Sequence, residues 1–290
     1  MRRIWSAVVT ATLIVSMLEG GVPVAHADYG PTTTYYLALG DSLAAGFQPG
    51  KGETRGYVGD LWRRIREQIP ALGLRNVSCA GETSRSMITG EHSPCHYSAG
   101  SQLDAAVAFL GAHTGEVAFI TIDVGVNDLL SRCMAWDTGL IDRACVVDLL
   151  PRLQTRLTRI VDALAAEAPG VPIVAMTYYD PFLGLWGLVP GGRHLARVDQ
   201  RAWAVFDAGL ATAYGDAGAA VADVAATFRI DDFTDTVVVP GRGRIPVNVA
   251  LACRWTWFCS PEFFGDPHPN RIGYMKVART FDRELQGLLP

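Results

Sequence analysis

Apolar runs of strand length alternate with amphipathic runs of helix length over most of this 290-residue chain. The run over residues 117–124 is almost wholly apolar, which is typical of a central parallel strand buried on both faces. The predicted strands are residues 35–39, 72–78, 117–124, 171–178 and 219–224. The predicted helices are residues 57–69, 102–110, 146–168, 195–213 and 270–288. This alternation predicts an α/β fold, a doubly wound parallel sheet of about five strands with helices on both faces.

The first 27 residues have the pattern of a secretory signal peptide. Arg2 and Arg3 form a basic start, residues 4–18 are apolar, and residues 25–27 match the small-residue cleavage pattern. The apolar stretch is shorter than the roughly 20 residues needed to span a bilayer, which argues against a membrane anchor. We predict cleavage near Ala27 and a secreted protein, extracellular or in the cell envelope, with residues 28–290 as one domain.

Six cysteines fall in three close pairs along the predicted mature chain: Cys79, Cys95, Cys133, Cys145, Cys253 and Cys259. In an oxidising compartment this pattern favours three local disulfides, although sequence alone does not fix the connectivity. We predict sequential pairing, 79–95, 133–145 and 253–259. A zinc site that joins Cys79 and Cys95 to His92 and His96 is the alternative, but the spacing matches no standard zinc motif and Pro94 interrupts any helix. We therefore predict no metal.

Charge and motifs argue against nucleic-acid and nucleotide partners. The formal net charge is −4, and the one basic cluster, Arg63, Arg64 and Arg66, has the spacing of a solvated helix face. The glycine-rich stretch 46–51 lacks the first glycine and the hydroxyl of a phosphate-binding loop, because Ala45 and Gly52 stand at those positions. The chain is predicted to need no cofactor.

Ser42 directly follows the first predicted strand, at the carboxyl edge where open α/β sheets place their chemistry. It stands in the stretch Gly40-Asp41-Ser42-Leu43, and three later fragments accompany it. They contain Gly81 in Cys79-Ala80-Gly81-Glu82, Asn127 in Gly125-Val126-Asn127-Asp128, and His268 in Asp266-Pro267-His268-Pro269. In order and context these fragments resemble the four blocks of the SGNH or GDSL hydrolase family.

The resemblance implies the flavodoxin-like fold of that family and a serine esterase mechanism. It implies that Ser42 is the nucleophile, that His268 is the general base, and that the N–H groups of Ser42 and Gly81 and the Asn127 amide bind the oxyanion. These residue types suit the roles, because Gly81 allows close backbone approach and a neutral amide donates without taking the nucleophile's proton.

The group that orients His268 is ambiguous in the sequence. The family pattern has an aspartate three positions before the histidine, where this chain has Gly265, and Asp266 stands two positions before. Some family members use a backbone carbonyl for this purpose. We predict Asp266, with the carbonyl of Gly265 or Phe264 as the alternative.

Two segments, residues 181–192 and 231–264, interrupt the alternation and are rich in apolar or aromatic residues. They could form an acyl-binding wall, which favours lipid acyl esters as substrates and transient contact with lipid surfaces by a monomeric enzyme. One alternative is a carbohydrate acetylesterase in which Trp186, Trp255 and Trp257 stack on sugar rings. Another is a catalytically silent protein of the same fold that binds glycans or lipids.

Overall fold

A computed structural model describes residues 34–135 and 138–289. Its centre is a parallel sheet of five strands: β1 Thr34–Gly40, β2 Leu72–Asn76, β3 Val117–Asp123, β4 Ile173–Met176 and β5 Ala220–Ala222. The spatial order is β2-β1-β3-β4-β5, and every neighbouring pair is parallel. This is the flavodoxin-like order of doubly wound sheets, so the predicted fold class is confirmed. The signal peptide prediction lies outside the described residues.

Ten α-helices surround the sheet in the described chain. They are α1 Ser42–Ala45, α2 Gly56–Ile65, α3 Ser84–Thr89, α4 Gln102–Ala112, α5 Val126–Cys133, α6 Arg143–Glu167, α7 Gly192–Asp216, α8 Val224–Phe228, α9 Val247–Trp255 and α10 Arg271–Leu285. Helices α2 and α10 pack together, and α6 packs against α4 and α7. All seven residues of β3 are buried, because helices cover the sheet.

Helix α2 ends at Ile65, four residues before the predicted end. Residues 66–69 continue as turns, and Ile69 precedes Pro70. A residue before proline is disfavoured in helical conformation, so the helix must end ahead of it. Helix α6 begins three residues earlier than predicted, because the carboxylate of Asp142 accepts the backbone N–H groups of Ala144 and Cys145.

The two interrupted segments contain more regular structure than the sequence predicts. Residues Pro181–Gly187 form a 3₁₀ helix, and the second segment contains α9. An antiparallel ribbon, Thr236–Val239 with Gly243–Pro246, precedes α9. Two shorter ribbons pair Phe47–Gln48 with Gly52–Glu53 and Met134–Ala135 with Leu140–Ile141. The 3₁₀ helix and the strands of these ribbons are too short to show a clear periodicity.

The six cysteines form three disulfides in the predicted sequential pairs, 79–95, 133–145 and 253–259. Each disulfide closes a loop at the edge of the sheet or beside a helix end. Since Cys79 and Cys95 are bonded to each other, they are not zinc ligands with His92 and His96. No helix among residues 34–135 and 138–289 has the length and apolar character needed to cross a bilayer.

Two buried carboxyl groups face each other where the 3₁₀ helix meets α7. One carboxyl oxygen of Asp180 accepts the N–H of Phe182, and one of Asp199 accepts the N–H of Ile141. The second oxygen of each carboxyl group has no hydrogen-bond partner in the described chain. Burial raises the pKa of Asp199 to about 7. Burial and the Asp199 charge raise the pKa of Asp180 as well. The folded state therefore holds a proton here that the unfolded chain releases.

We expect Asp199→Asn to remove a pH-dependent loss of stability. A raised carboxyl pKa contributes stability below the unfolded pKa of about 3.9, and this contribution is lost as the pH rises towards 7. The free energy of unfolding of the wild type should fall by up to about 1.4 kcal/mol per pH unit in this window, relative to the variant. Urea denaturation at pH 4.5, 6 and 8 measures the difference, with exposed Asp148→Asn as the control. Parallel stability curves for wild type and Asp199→Asn would contradict the assignment.

Candidate active site

The carboxyl ends of β1, β3 and β4 border a cavity of about 280 Å³. Its polar lining consists of Ser42, Asn127 and His268 together with two tyrosines, and the remaining lining is apolar. The lining residues are Ser42, Leu43, Val126, Asn127, Leu130, Tyr178, Tyr179, Pro181, Trp203, Pro267 and His268. Three of the predicted site residues, from distant parts of the sequence, therefore meet in one cavity at the edge where such sheets bind ligands.

Ser42 is the first residue of α1, immediately beyond β1. Asp41 is the N-cap of this short helix, and its carboxylate accepts the N–H of Leu43 at 2.9 Å. The chain turns at Gly40, which has a φ of +151°. A Cβ at Gly40 would lie 2.0 Å from a carboxyl oxygen of Asp123, so only glycine fits there. This turn holds the Ser42 hydroxyl at the mouth of the cavity.

Ser42, His268 and Asp266 form a continuous hydrogen-bonded row. The Ser42 Oγ lies 3.0 Å from His268 Nε2, and His268 Nδ1 lies 2.9 Å from Asp266 Oδ1. The backbone N–H of His268 donates to the same carboxylate oxygen at 2.9 Å. The imidazole thus contacts the Asp266 side chain, and the Gly265 and Phe264 carbonyls are not its hydrogen-bond partners. With Nδ1 protonated, Nε2 is free to accept the Ser42 proton.

The loop that carries His268 is fixed on both sides of the imidazole. The His268 carbonyl accepts the N–H of Trp257, and the Pro267 carbonyl accepts the Tyr179 hydroxyl at 2.8 Å. The ring of Phe47 packs on the imidazole with the centroids 4.5 Å apart. These contacts connect the loop to β4 and to the segment after α1, so the imidazole is held in place before any ligand binds.

Asn127 is the second residue of α5, and one hydrogen bond connects it to the loop that contains Gly81. The Asn127 amide donates to the carbonyl of Glu82 at 2.9 Å, and an amide nitrogen carries a second N–H. Gly81 precedes Glu82, has a φ of +87°, and lies between the two cysteines of the 79–95 disulfide. Gly81 is not among the residues that line the cavity, whereas Asn127 is. The Glu82 carboxylate is buried and accepts hydrogen bonds from Ser93 and Gln102.

A buried pair of carboxyl groups, Asp41 and Asp123, lies directly behind Ser42 and is absent from the predicted site. Asp41 accepts the Tyr178 hydroxyl at 2.9 Å, and Asp123 accepts the Tyr57 hydroxyl at 2.7 Å and the N–H of Ala44. Burial raises the pKa of both carboxyl groups, and the Asp41 charge raises the pKa of Asp123 further. Both carboxyl groups are therefore more readily protonated than an exposed aspartate. The sequence signal that could have indicated this pair is Asp123, an ionisable residue at the end of the otherwise apolar strand β3.

The chain belongs to the GDSL-like lipase/acylhydrolase family, whose model matches residues 38–276. The match begins inside β1 and ends inside α10, so it includes every residue of the cavity described above. Comparison with curated proteins gives no match.

Solved structures with the same fold cover most of the chain at low sequence identity. The lipase Lip_vut3 from a goat rumen metagenome has a TM-score of 0.54 at 15% identity and covers 87% of this chain and 97% of its own. A lipase/acylhydrolase from Enterococcus faecalis has a TM-score of 0.51 at 16% identity, over 89% and 97%. Phospholipase A1 from Streptomyces albidoflavus NA297 has a TM-score of 0.50 at 15% identity, over 87% and 100%. At these identities the likeness concerns the fold alone.

We expect Asp266→Asn to lower kcat for ester hydrolysis by about 10²- to 10⁴-fold, because an amide at this position can present N–H to Nδ1 and favour the wrong imidazole tautomer. Steady-state kinetics with a soluble ester measures the effect, and exposed Asp231→Asn is the matched control. Activity of Asp266→Asn within a few-fold of the wild type would show that the main chain is sufficient to orient His268.

Proposed function

We propose that this protein is a serine esterase that hydrolyses carboxylic esters of acyl chains through an acyl-Ser42 intermediate. The observation that carries the proposal is the row Ser42–His268–Asp266, which opens on an apolar cavity that also contains the Asn127 amide. A nucleophile, a base, a group that orients the base and an oxyanion donor are the parts that acyl transfer requires.

In the proposed reaction the Ser42 Oγ attacks the ester carbonyl while its proton moves to His268 Nε2, which lies 3.0 Å away. The Asn127 amide and the N–H of Ser42 bind the oxyanion that forms, and the N–H of Gly81 is the third donor that the family resemblance implies, although Gly81 does not line the cavity. The bond to the alcohol then breaks, and the imidazolium gives its proton to the leaving oxygen. Water then attacks the acyl-serine by the same steps, with His268 as the base, and releases the carboxylic acid. Asp266 stabilises the imidazolium in both halves.

The lining of the cavity supports an acyl chain longer than acetyl. Leu43, Val126, Leu130 and Pro181 are apolar, and the volume of about 280 Å³ is roughly twice that of the ~150 Å³ apolar cavity that holds benzene in another protein. Burying each methylene group of a chain there contributes about 0.8 kcal/mol.

The tryptophans that would serve a carbohydrate esterase already have partners within the protein. Trp186 stacks on Phe233 and lies beneath Arg197, and Trp255 is buried edge-on against Phe228. The indole N–H of Trp257 donates to Gln48. None of the three tryptophans lines the catalytic cavity, which favours lipid acyl esters over acetylated carbohydrates.

We propose that the protein acts outside the cytoplasm. Three disulfides are formed, and such bonds persist in oxidising compartments. The signal peptide pattern of residues 1–27 agrees with export. Detection of a mature chain that begins near residue 28 in the culture medium or cell envelope would support this part of the proposal.

We expect a fluorophosphonate probe to label Ser42, because the probe reacts with a serine that an adjacent base activates. Ser42→Ala should abolish labelling and ester hydrolysis, and Ser98→Ala, at an exposed serine outside the cavity, should change neither. Mass spectrometry of the labelled peptide identifies the site. A silent binding protein would give no adduct and no hydrolysis in the wild type, and an adduct on another serine would also overturn the proposal.

We expect Leu130→Trp to shift the acyl preference towards short chains, since the indole would fill part of the cavity that Leu130 lines. The ratio of kcat/KM for p-nitrophenyl octanoate to that for the acetate should fall by about tenfold or more, because a few methylene groups are worth about 1–3 kcal/mol each in such discrimination. Arg132→Trp, exposed on the same helix, is the control. An unchanged ratio in Leu130→Trp would place the acyl chain elsewhere.

A further inference from the structure

A second cavity, of about 310 Å³, lies on the other side of the segment that supports His268. We call it the basic cavity. Its walls come from the 47–53 ribbon, from α2, which follows the ribbon in sequence, and from the start of α10, which only folding brings to them. The lining residues are Gln48, Lys51, Thr54, Arg55, Gly56, Asp60, Arg63, Arg271 and Tyr274.

Four cationic side chains and one carboxylate line the basic cavity. The carboxylate of Asp60 is paired with Arg63 on the same helix. Lys51, Arg55 and Arg271 form no ion pair within residues 34–135 and 138–289. Lys51, Arg55 and Arg271 are exposed, so three positive charges without a counter-charge from the described chain border the cavity and attract an anion from solution.

The neutral polar groups of the basic cavity are already committed to the protein. The Gln48 amide donates to the carbonyls of Phe47 and Pro269, and its oxygen accepts the N–H of Trp257. The Tyr274 hydroxyl donates to the Phe47 carbonyl, and the Thr54 hydroxyl donates to the Gly46 carbonyl. The donors left for a ligand are therefore chiefly the cationic side chains.

The start of α2 adds backbone donors. Gly56, its first residue, lines the cavity, and no side chain caps this helix. The first N–H groups of a helix lack partners within it, and the helix dipole makes this end positive. Helix α10 differs, because Asn270 accepts its N–H groups at Ile272 and Gly273, so α10 contributes only the side chain of Arg271.

We propose that the basic cavity binds a phosphate group. Phosphate offers several acceptor oxygens and up to two negative charges, which matches guanidinium groups and a helix N-terminus that converge from different directions. The phosphate could belong to a lipid headgroup or to a small soluble molecule, since the recognising chemistry is the same. The proposal concerns a site outside the catalytic cavity, and it does not depend on the proposed esterase activity.

The basic cavity and the row of Ser42, His268 and Asp266 share a wall. Gln48 lines the basic cavity and binds the carbonyl of Pro269, the residue after His268. Phe47, the neighbour of Gln48, packs on the imidazole. A phosphate in the basic cavity would therefore be connected to the catalytic loop through Gln48 and Phe47.

Isothermal titration calorimetry with inorganic phosphate and with glycerol 3-phosphate at low ionic strength tests the site. We expect Arg55→Ala/Arg271→Ala to weaken phosphate binding at least tenfold. The control is Arg152→Ala/Arg159→Ala, which removes two exposed arginines of α6 and should bind as the wild type does. Thermal unfolding verifies that both variants are folded. Equal binding by all three proteins, or no binding by the wild type, would overturn the proposal.

Sedimentation with vesicles of phosphatidylglycerol in phosphatidylcholine distinguishes the two sources of phosphate. If Arg55→Ala/Arg271→Ala loses both soluble phosphate and vesicle binding, the site holds a lipid headgroup. If it loses soluble phosphate alone, the site holds a free phosphate compound, and either result supports the proposal. The proposal is overturned if the wild type binds no soluble phosphate and vesicle binding falls equally in the α6 control. That result would indicate a general attraction between charges.

Discussion

The buried carboxyl pair Asp41 and Asp123 is the constraint on which the geometry around Ser42 depends. Asp41 follows β1 and Asp123 ends β3, so the two carboxyl groups join the central strands at the edge where the nucleophile stands. Their oxygens accept the N–H groups of Leu43 and Ala44 and the hydroxyls of Tyr57 and Tyr178. Burial disfavours two full charges at this position and raises the pKa of both carboxyl groups. The hydrogen bonds that they accept connect the turn at Ser42 to the central strands.

Much of the fold could be predicted because buried parallel strands carry a strong local signal. The run at β3 is apolar on both faces, and the long helices α6 and α7 have clear amphipathic stripes. Helices α1, α3 and α8 have six residues or fewer, which is less than two turns, so no periodicity develops. Helix α9 was not predicted for another reason. It lies within a segment rich in aromatic residues that the sequence suggests is a loop.

Part of the candidate site could likewise be predicted from the sequence, and part could not. Ser42, Asn127 and His268 stand in short motifs at strand ends, so their meeting follows from the topology. The geometry also identifies the neighbour of His268, because one oxygen of Asp266 contacts both Nδ1 and the backbone N–H of His268. The Asp41–Asp123 pair is a contact between residues 82 positions apart in sequence, and no local pattern encodes such a contact. Neither does any local pattern bring Lys51, Arg55 and Arg271 to one cavity.

The hydrogen bond from Asn127 to the Glu82 carbonyl couples the start of α5 to the loop that the 79–95 disulfide closes. A displacement of that loop must move the start of α5 with it or break this bond. Insertions that lengthen the 79–95 loop are therefore tolerable only where they leave the Glu82 peptide in register with the sheet, and variation is expected to accumulate on the far side of the disulfide.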